Sequence, residues 1–137
     1  MLELNPARVT AAVLLINEVF HAHDEAGARK FHPNDWQDYL ASKYGKAHLD
    51  PNQILQDAQR SKLLVETVAN LLGAFNVQMD QVVRLRFGLD DGSQRTLREV
   101  GDEMDYSPER IRQIQNKATR FLRHPTLSRR LLPFLEV

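Results

Sequence analysis

In every segment long enough to judge, apolar residues recur three and four positions apart, a helical rather than an alternating periodicity, so the pattern predicts helices throughout and an all-α fold, a helical bundle. Asn5-Pro6 reads as a cap and first-turn proline for a helix carrying Val9, Val13, Ile16 and Phe20 that ends near residues 21–24. Gly27 falls in the loop that follows. Pro33-Asn34-Asp35 opens a short helix with Trp36, Tyr39, Leu40 and Tyr44 on one stripe, closed by Gly45. Asp50-Pro51, with Gln53 three residues after the cap, predicts one long helix that turns Ile54, Leu55, Ala58, Val65, Val68 and Leu72 inward and runs to about Ala74.

Beyond that point the predicted elements shorten and cap signals become frequent. Asn76 caps a helix through Met79, Val82, Val83 and Leu85 that stops at Gly88, and the polar run from Asp90 to Arg95 is a turn or exposed loop. Thr96 and Glu99 form a capping box for a helix with Leu97, Val100 and Met104. Ser107-Pro108-Glu109 starts the next, with Ile111, Ile114, Ala118, Phe121 and Leu122 on its inner face. His124-Pro125 breaks it, and Thr126 caps a last helix bearing Leu127, Leu131 and Phe134.

A length of 137 residues, 42% hydrophobic and 26% charged, suits one compact domain or two small ones. The absence of cysteine removes disulfides, thiolate zinc sites and cysteine nucleophiles, and fits a reducing cytosol. The longest apolar run, Val9 to Phe20, is interrupted by Asn17 and Glu18 and falls short of the roughly 20 residues that a bilayer span needs. No signal peptide is expected. Charge changes the picture more: residues 1–80 hold seven Lys+Arg against ten Asp+Glu, a net of −3, and residues 81–137 hold eleven against eight, a net of +3. The C-terminal part is therefore the one suited to a polyanion. The organisation expected is a helical element over residues 1–58, of unknown role, and a second unit over residues 59–137.

Two short helices separated by only Asp105-Tyr106, the second starting at a serine cap, have helix-turn-helix proportions. Gly101 stands where such a motif needs a small residue, and Met104, Ile111 and Ile114 supply the apolar seat of the second helix. Its outer face presents Glu109, Arg110, Arg112, Gln113, Asn116 and Lys117, a mixture able to read base edges and grip phosphates. A basic outer face is ordinary on an amphipathic helix, so the pattern alone leaves DNA binding and a merely solvated face both open.

Four blocks narrow this. Val83-Arg84-Leu85-Arg86-Phe87-Gly88-Leu89, Thr96-Leu97-Arg98-Glu99-Val100-Gly101, Glu109-Arg110-Ile111-Arg112-Gln113-Ile114 and Leu122-Arg123-His124-Pro125 stand in an order and at a spacing that resemble region 4 of the primary bacterial RNA polymerase sigma factors. Val68, Leu71, Leu72 and Phe75 fall in register with the apolar positions of that region's first helices, so the resemblance covers about residues 60–135. It implies a module that binds the −35 promoter element and docks on the flap of the polymerase β subunit. By position, Glu109, Arg110 and Gln113 would contact bases and Arg112 would lie near the backbone. Arg86, Thr96 and Arg98 would grip phosphate, with the amino end of the Thr96 helix adding its dipole. Val68, Leu72, Val82 and Leu85 form an apolar set that suits either a flap contact or a core. The implied location is the cytoplasm, at the bacterial nucleoid or in the host of a phage.

Residues 1–58 resemble none of the sigma segments that bind the clamp or melt the −10 element, so the chain is not expected to be a complete sigma factor. The aromatic residues Phe20, Phe31, Trp36 and Tyr39 suit a core or a partner-binding face. Three uses of the module compete: half of a split sigma factor or a co-activator at the −35 element, a sigma mimic that inhibits or redirects polymerase by protein contact, and a free-standing repressor. His21, His23, His32 and His48 with Asp24 and Glu25 do not have the convergent spacing of a zinc site, and no cofactor is expected. The pairs Asp90-Asp91 and Asp102-Glu103 lack an activated partner, and no nucleotide or nucleophile motif occurs, so no enzymatic activity is expected.

One departure from the family pattern carries a prediction. Pro108 stands where primary sigma factors usually place an arginine that reads a guanine, and proline has no donor to offer. Pro108→Arg should sharpen guanine preference at the corresponding base by about 1–3 kcal/mol. Selection of sites from random DNA with both versions checks this; identical preferences would mean that residue 108 approaches no base.

Overall fold

The computed structural model describes residues 5–21 and 49–135, and among them every regular element is a helix. The helices are α1 Pro6–His21, α2 Pro51–Leu55, α3 Ala58–Leu72, α4 Val77–Phe87, α5 Leu97–Met104, α6 Pro108–Leu122, α7 Pro125–Ser128 and α8 Leu132–Leu135. The short aromatic helix expected around Trp36, the loop at Gly27 and the histidines beyond α1 lie outside the described residues.

Asn5 opens α1 as expected, its Oδ1 accepting from the Ala7 N–H at 2.9 Å. Val9, Ala12, Val13, Ile16, Val19 and Phe20 are buried, and so are Ala11 and Leu15. A helix apolar on more than one face has to be surrounded. α1 accordingly packs against α2, α3, α4 and α6, and its side chains share one hydrophobic cluster with Leu64, Leu71, Val82, Val100, Ile111, Leu122 and Phe134. The boundary expected between residues 58 and 59 falls at the start of α3, and helices on both sides of it feed this core. Polar ties reinforce the seat of α1. Arg8 Nε donates to the Asp90 carbonyl at 2.9 Å, Arg123 Nε donates to the Val19 carbonyl, and the Asn17 amide both donates to and accepts from the Leu49 backbone, at 3.2 and 2.9 Å. Gly92 lets the loop after α4 close on α1, since a Cβ there would lie 2.4 Å from that of Ala7.

Three expectations need correction. The single helix from Asp50 to Ala74 is two, broken at Gln56 and Asp57. Asp57 takes an extended backbone and its carboxylate accepts from the Arg60 N–H at 3.1 Å, making it the cap of α3. An aspartate competes with helical backbone bonding in an interior and is favoured at a cap. Ser61 Oγ then donates to the Ile54 carbonyl at 2.7 Å and locks the corner, while Ala58, expected inside, is exposed. Second, the C-terminal helix is split into α7 and α8, and the cap is His124, whose ring accepts from the Thr126 N–H at 3.3 Å, rather than Thr126. Pro133 lacks the N–H that a continuous helix would need there and its ring would clash one turn back. Third, Phe121 is 43% exposed instead of buried; it rests edge-on against Phe75 with ring centroids 6.0 Å apart.

Because α1 and the C-terminal helices share a core, a cavity in α1 should be felt throughout. Leu15→Ala is expected to destabilise the chain by about 2–5 kcal/mol, and far-UV dichroism and a fluorophore placed on α6 should lose signal at the same lowered midpoint. Separate transitions would show two cores.

Candidate nucleic-acid interface

The helix-turn-helix is built from local backbone chemistry. Thr96 Oγ1 accepts from the Glu99 N–H at 3.1 Å while Glu99 Oε1 accepts from the Thr96 N–H at 2.9 Å, completing the predicted capping box at the start of α5. α5 ends at Asp105, which takes the left-handed conformation at φ 63°. Aspartate tolerates that region better than most residues. The Tyr106 N–H then reaches back to the Gly101 carbonyl at 2.8 Å. This fold-back is why residue 101 is glycine: a Cβ there would lie 2.5 Å from the Tyr106 carbonyl oxygen, which is backbone and cannot move aside. Tyr106 Oη accepts from Gln78 Nε2 at 2.8 Å, which fastens the turn to α4.

Ser107 caps α6, its Oγ accepting from the Arg110 N–H at 3.1 Å, and Pro108 fills the first helical position without losing a needed N–H. Ile111, Ile114, Gln115, Ala118, Thr119 and Leu122 face inward and are buried. The opposite face shows Glu109, Arg110, Arg112, Gln113 and Lys117 exposed and Asn116 half-buried. Glu109 and Arg112 meet through two hydrogen bonds, one of them Nε to Oε2 at 3.0 Å. This contact with Arg112 holds the Glu109 carboxyl below its usual range. The face thus offers a carboxylate acceptor, guanidinium donors and an amide on one rigid surface.

The other predicted residues are placed unequally. Thr96 and Arg98 are exposed at the amino end of α5. Arg86 is half-buried behind it, and its Nε donates to Gln115 Oε1 at 2.7 Å while a terminal nitrogen donates to the Arg95 carbonyl. Burial pushes its pKa down, against the opposing field of Glu18. The sequence reading missed Gln115, although a polar side chain within the stripe Ile111, Ile114, Ala118 was the available signal. Val68, Leu72 and Val82 are buried, and Leu85 is half-buried.

The discounted carboxylate pairs are largely taken up in ion pairs. Asp90 meets Arg84 at 2.7 Å, Asp91 meets Arg95 at 2.8 Å, and Glu103 lies 3.7 Å from the same Arg95. Among the described residues no group of His, Asp and Glu could hold a metal ion, and no helix is long and apolar enough to cross a membrane.

The capping box makes the start of α5 pH-sensitive. Backbone and side-chain hydrogen bonds from Thr96 hold the Glu99 carboxyl below its usual value. A depressed folded pKa stabilises above the unfolded value, about 4.3 for glutamate, and that contribution disappears as pH falls through the folded value. Glu99→Gln keeps an acceptor for the box and removes the charge. It is expected to flatten the fall in melting temperature on acidification below about pH 4.3, read by thermal denaturation across a pH series; an unchanged acid limb would show that Glu99 contributes none of it.

Comparison with known proteins places this geometry. Residues 71–124 match the family model for sigma-70, region 4. The RNA polymerase sigma factor SigA of Clostridium acetobutylicum is 48% identical over 80 residues, and the protein of the same name from a Bacillus species is 51% identical over 80 residues. Each alignment covers 58% of this chain and 21% of the relative, so the chain spans about a fifth of the length of these sigma factors. In sequence and in helix-turn-helix fold alike, residues 71–124 match sigma-70 region 4.

Proposed function

We propose that this chain is a transcription regulator that lays α6 in the major groove of −35-type promoter DNA and acts on RNA polymerase, with the β-subunit flap as its polymerase contact. The observation that carries the reading is the exposed face of α6, where Glu109, Arg110 and Gln113 stand together on a helix whose other face is buried. Arginine and glutamine donate to purine edges in the major groove, and a carboxylate accepts from cytosine. Arg112, Asn116 and Lys117 lie alongside, suited to the flanking backbone, and Arg98 and Thr96 at the amino end of α5 suit a phosphate. Such a protein acts where the promoter is, at a nucleoid or in the cytoplasm of a phage host.

Support for the polymerase contact is the likeness to proteins named as RNA polymerase sigma factors. Val68, Leu72 and Val82 lie in the core, so a flap contact has to use half-buried Leu85 and its neighbours.

Arg110→Ala and Gln113→Ala should each lose about 1–3 kcal/mol on the preferred site and flatten preference at one base pair. Arg98→Ala should weaken all sequences alike and make the dependence of affinity on salt shallower by roughly one unit. Fluorescence anisotropy with promoter and scrambled duplexes measures both effects. Loss in none of the three variants would remove direct DNA reading, and capture of polymerase without DNA binding would favour a sigma mimic acting by protein contact.

A further inference from the structure

The two parts of the DNA-facing surface, the amino end of α5 and the outer face of α6, have to hold a fixed separation if one is to sit on phosphate while the other reads bases. The turn at Gly101 joins the carboxyl end of α5 to the amino end of α6 and fixes only that corner. The opposite corner, where α5 begins, needs its own fastening.

Arg86 supplies it. From α4 its Nε donates to Gln115 Oε1 at 2.7 Å, midway along the buried face of α6, and a terminal nitrogen donates to the carbonyl of Arg95, the residue just before the Thr96 cap. The fork of a guanidinium holds two acceptors at a set angle, which an ammonium cannot do. Gln115 is 7% exposed, so losing this partner would leave a buried carbonyl unsatisfied. Glu18, on α1, acts on the Arg86 charge and also on that of Arg123, at the far end of α6, and Arg123 itself holds the Val19 carbonyl of α1.

We infer that Arg86 is a positioning residue for DNA reading, a guanidinium strut that sets α5 and α6 in one frame through Arg95 and Gln115, in place of the phosphate grip that the family resemblance implies. The inference rests on the DNA-binding reading above. A phosphate grip needs a cation at that place and tolerates lysine; a strut needs the fork and its acceptor.

The test uses the full chain and measures anisotropy on a −35-type duplex and a scrambled duplex over a salt series, at a temperature where dichroism shows each variant folded. Arg86→Lys is expected to reduce the ratio of specific to non-specific affinity about tenfold with the salt slope unchanged, and Gln115→Leu, which leaves the arginine in place, to do the same. Gln115→Glu keeps the acceptor and should retain the wild-type ratio. Arg98→Ala serves as the phosphate control, lowering the slope by about one unit. The inference is overturned if Arg86→Lys keeps both affinity and preference while Arg86→Met lowers the slope like Arg98→Ala. A wild type without sequence preference would instead remove the DNA reading, and the strut is then judged on the free protein. There Arg86→Lys should shift the amide resonances of residues 97–99 and 109–113, which accept no hydrogen bond from Arg86, and unchanged resonances would overturn it.

Discussion

A helix that leaves one face open can be held by only the other half of its surface. Whatever fixes its position has to act from behind, and this constraint organises the C-terminal part of the chain. On α6 the inward half is Ile111, Ile114, Gln115, Ala118, Thr119 and Leu122, all buried. Among the described residues, the anchors named for the helix come from that side or from its ends. Ser107 holds the first turn, the turn at Gly101 is clasped to α4 by Gln78 and Tyr106, and Arg123 at the last turn reaches α1. On the exposed face Glu109 and Arg112 pair with each other, a contact exposed enough to be broken at small cost.

The folded unit is larger than the segment that matches sigma-70 region 4. The match begins at residue 71, whereas the core runs from Val9 to Leu135. α1 carries only Arg8 and Glu18 as charges, so the acidic balance of the N-terminal part lies elsewhere in it. A nearly neutral, apolar helix is suited to filling the interior of a bundle, and a small set of region 4 helices would otherwise bury little surface per residue.

Features set by interactions between residues three to five apart were legible in the sequence. The capping box of Thr96 and Glu99, the caps at Asn76 and Ser107, the left-handed stop at Gly88 and the need for glycine at 101 all belong to this class. The misreadings arose where a local rule met a competing one. Apolar spacing continued past Gln56 and Asp57, but the aspartate was better used as a cap than inside a helix. Phe121 kept the periodicity of the α6 core yet lies where the bundle ends, and it found Phe75 instead. Arg86 and Gln115 are 29 residues apart, and no periodicity rule links an arginine on one helix with a glutamine on another. The outer face of α6 was legible because its composition is what remains once the buried stripe is removed.

The hydrogen bond from Arg123 to Val19 spans 104 residues, and this separation sets a timetable for synthesis. α1 is synthesised before any of α2, α3, α4 and α6, the helices that pack against it. At about 5–20 residues per second, the interval before Arg123 arrives is roughly 5–20 s. Through that time one of the most apolar segments of the chain lacks its α6 partner, so the newborn chain carries a partly uncovered apolar helix until the C-terminal helices arrive.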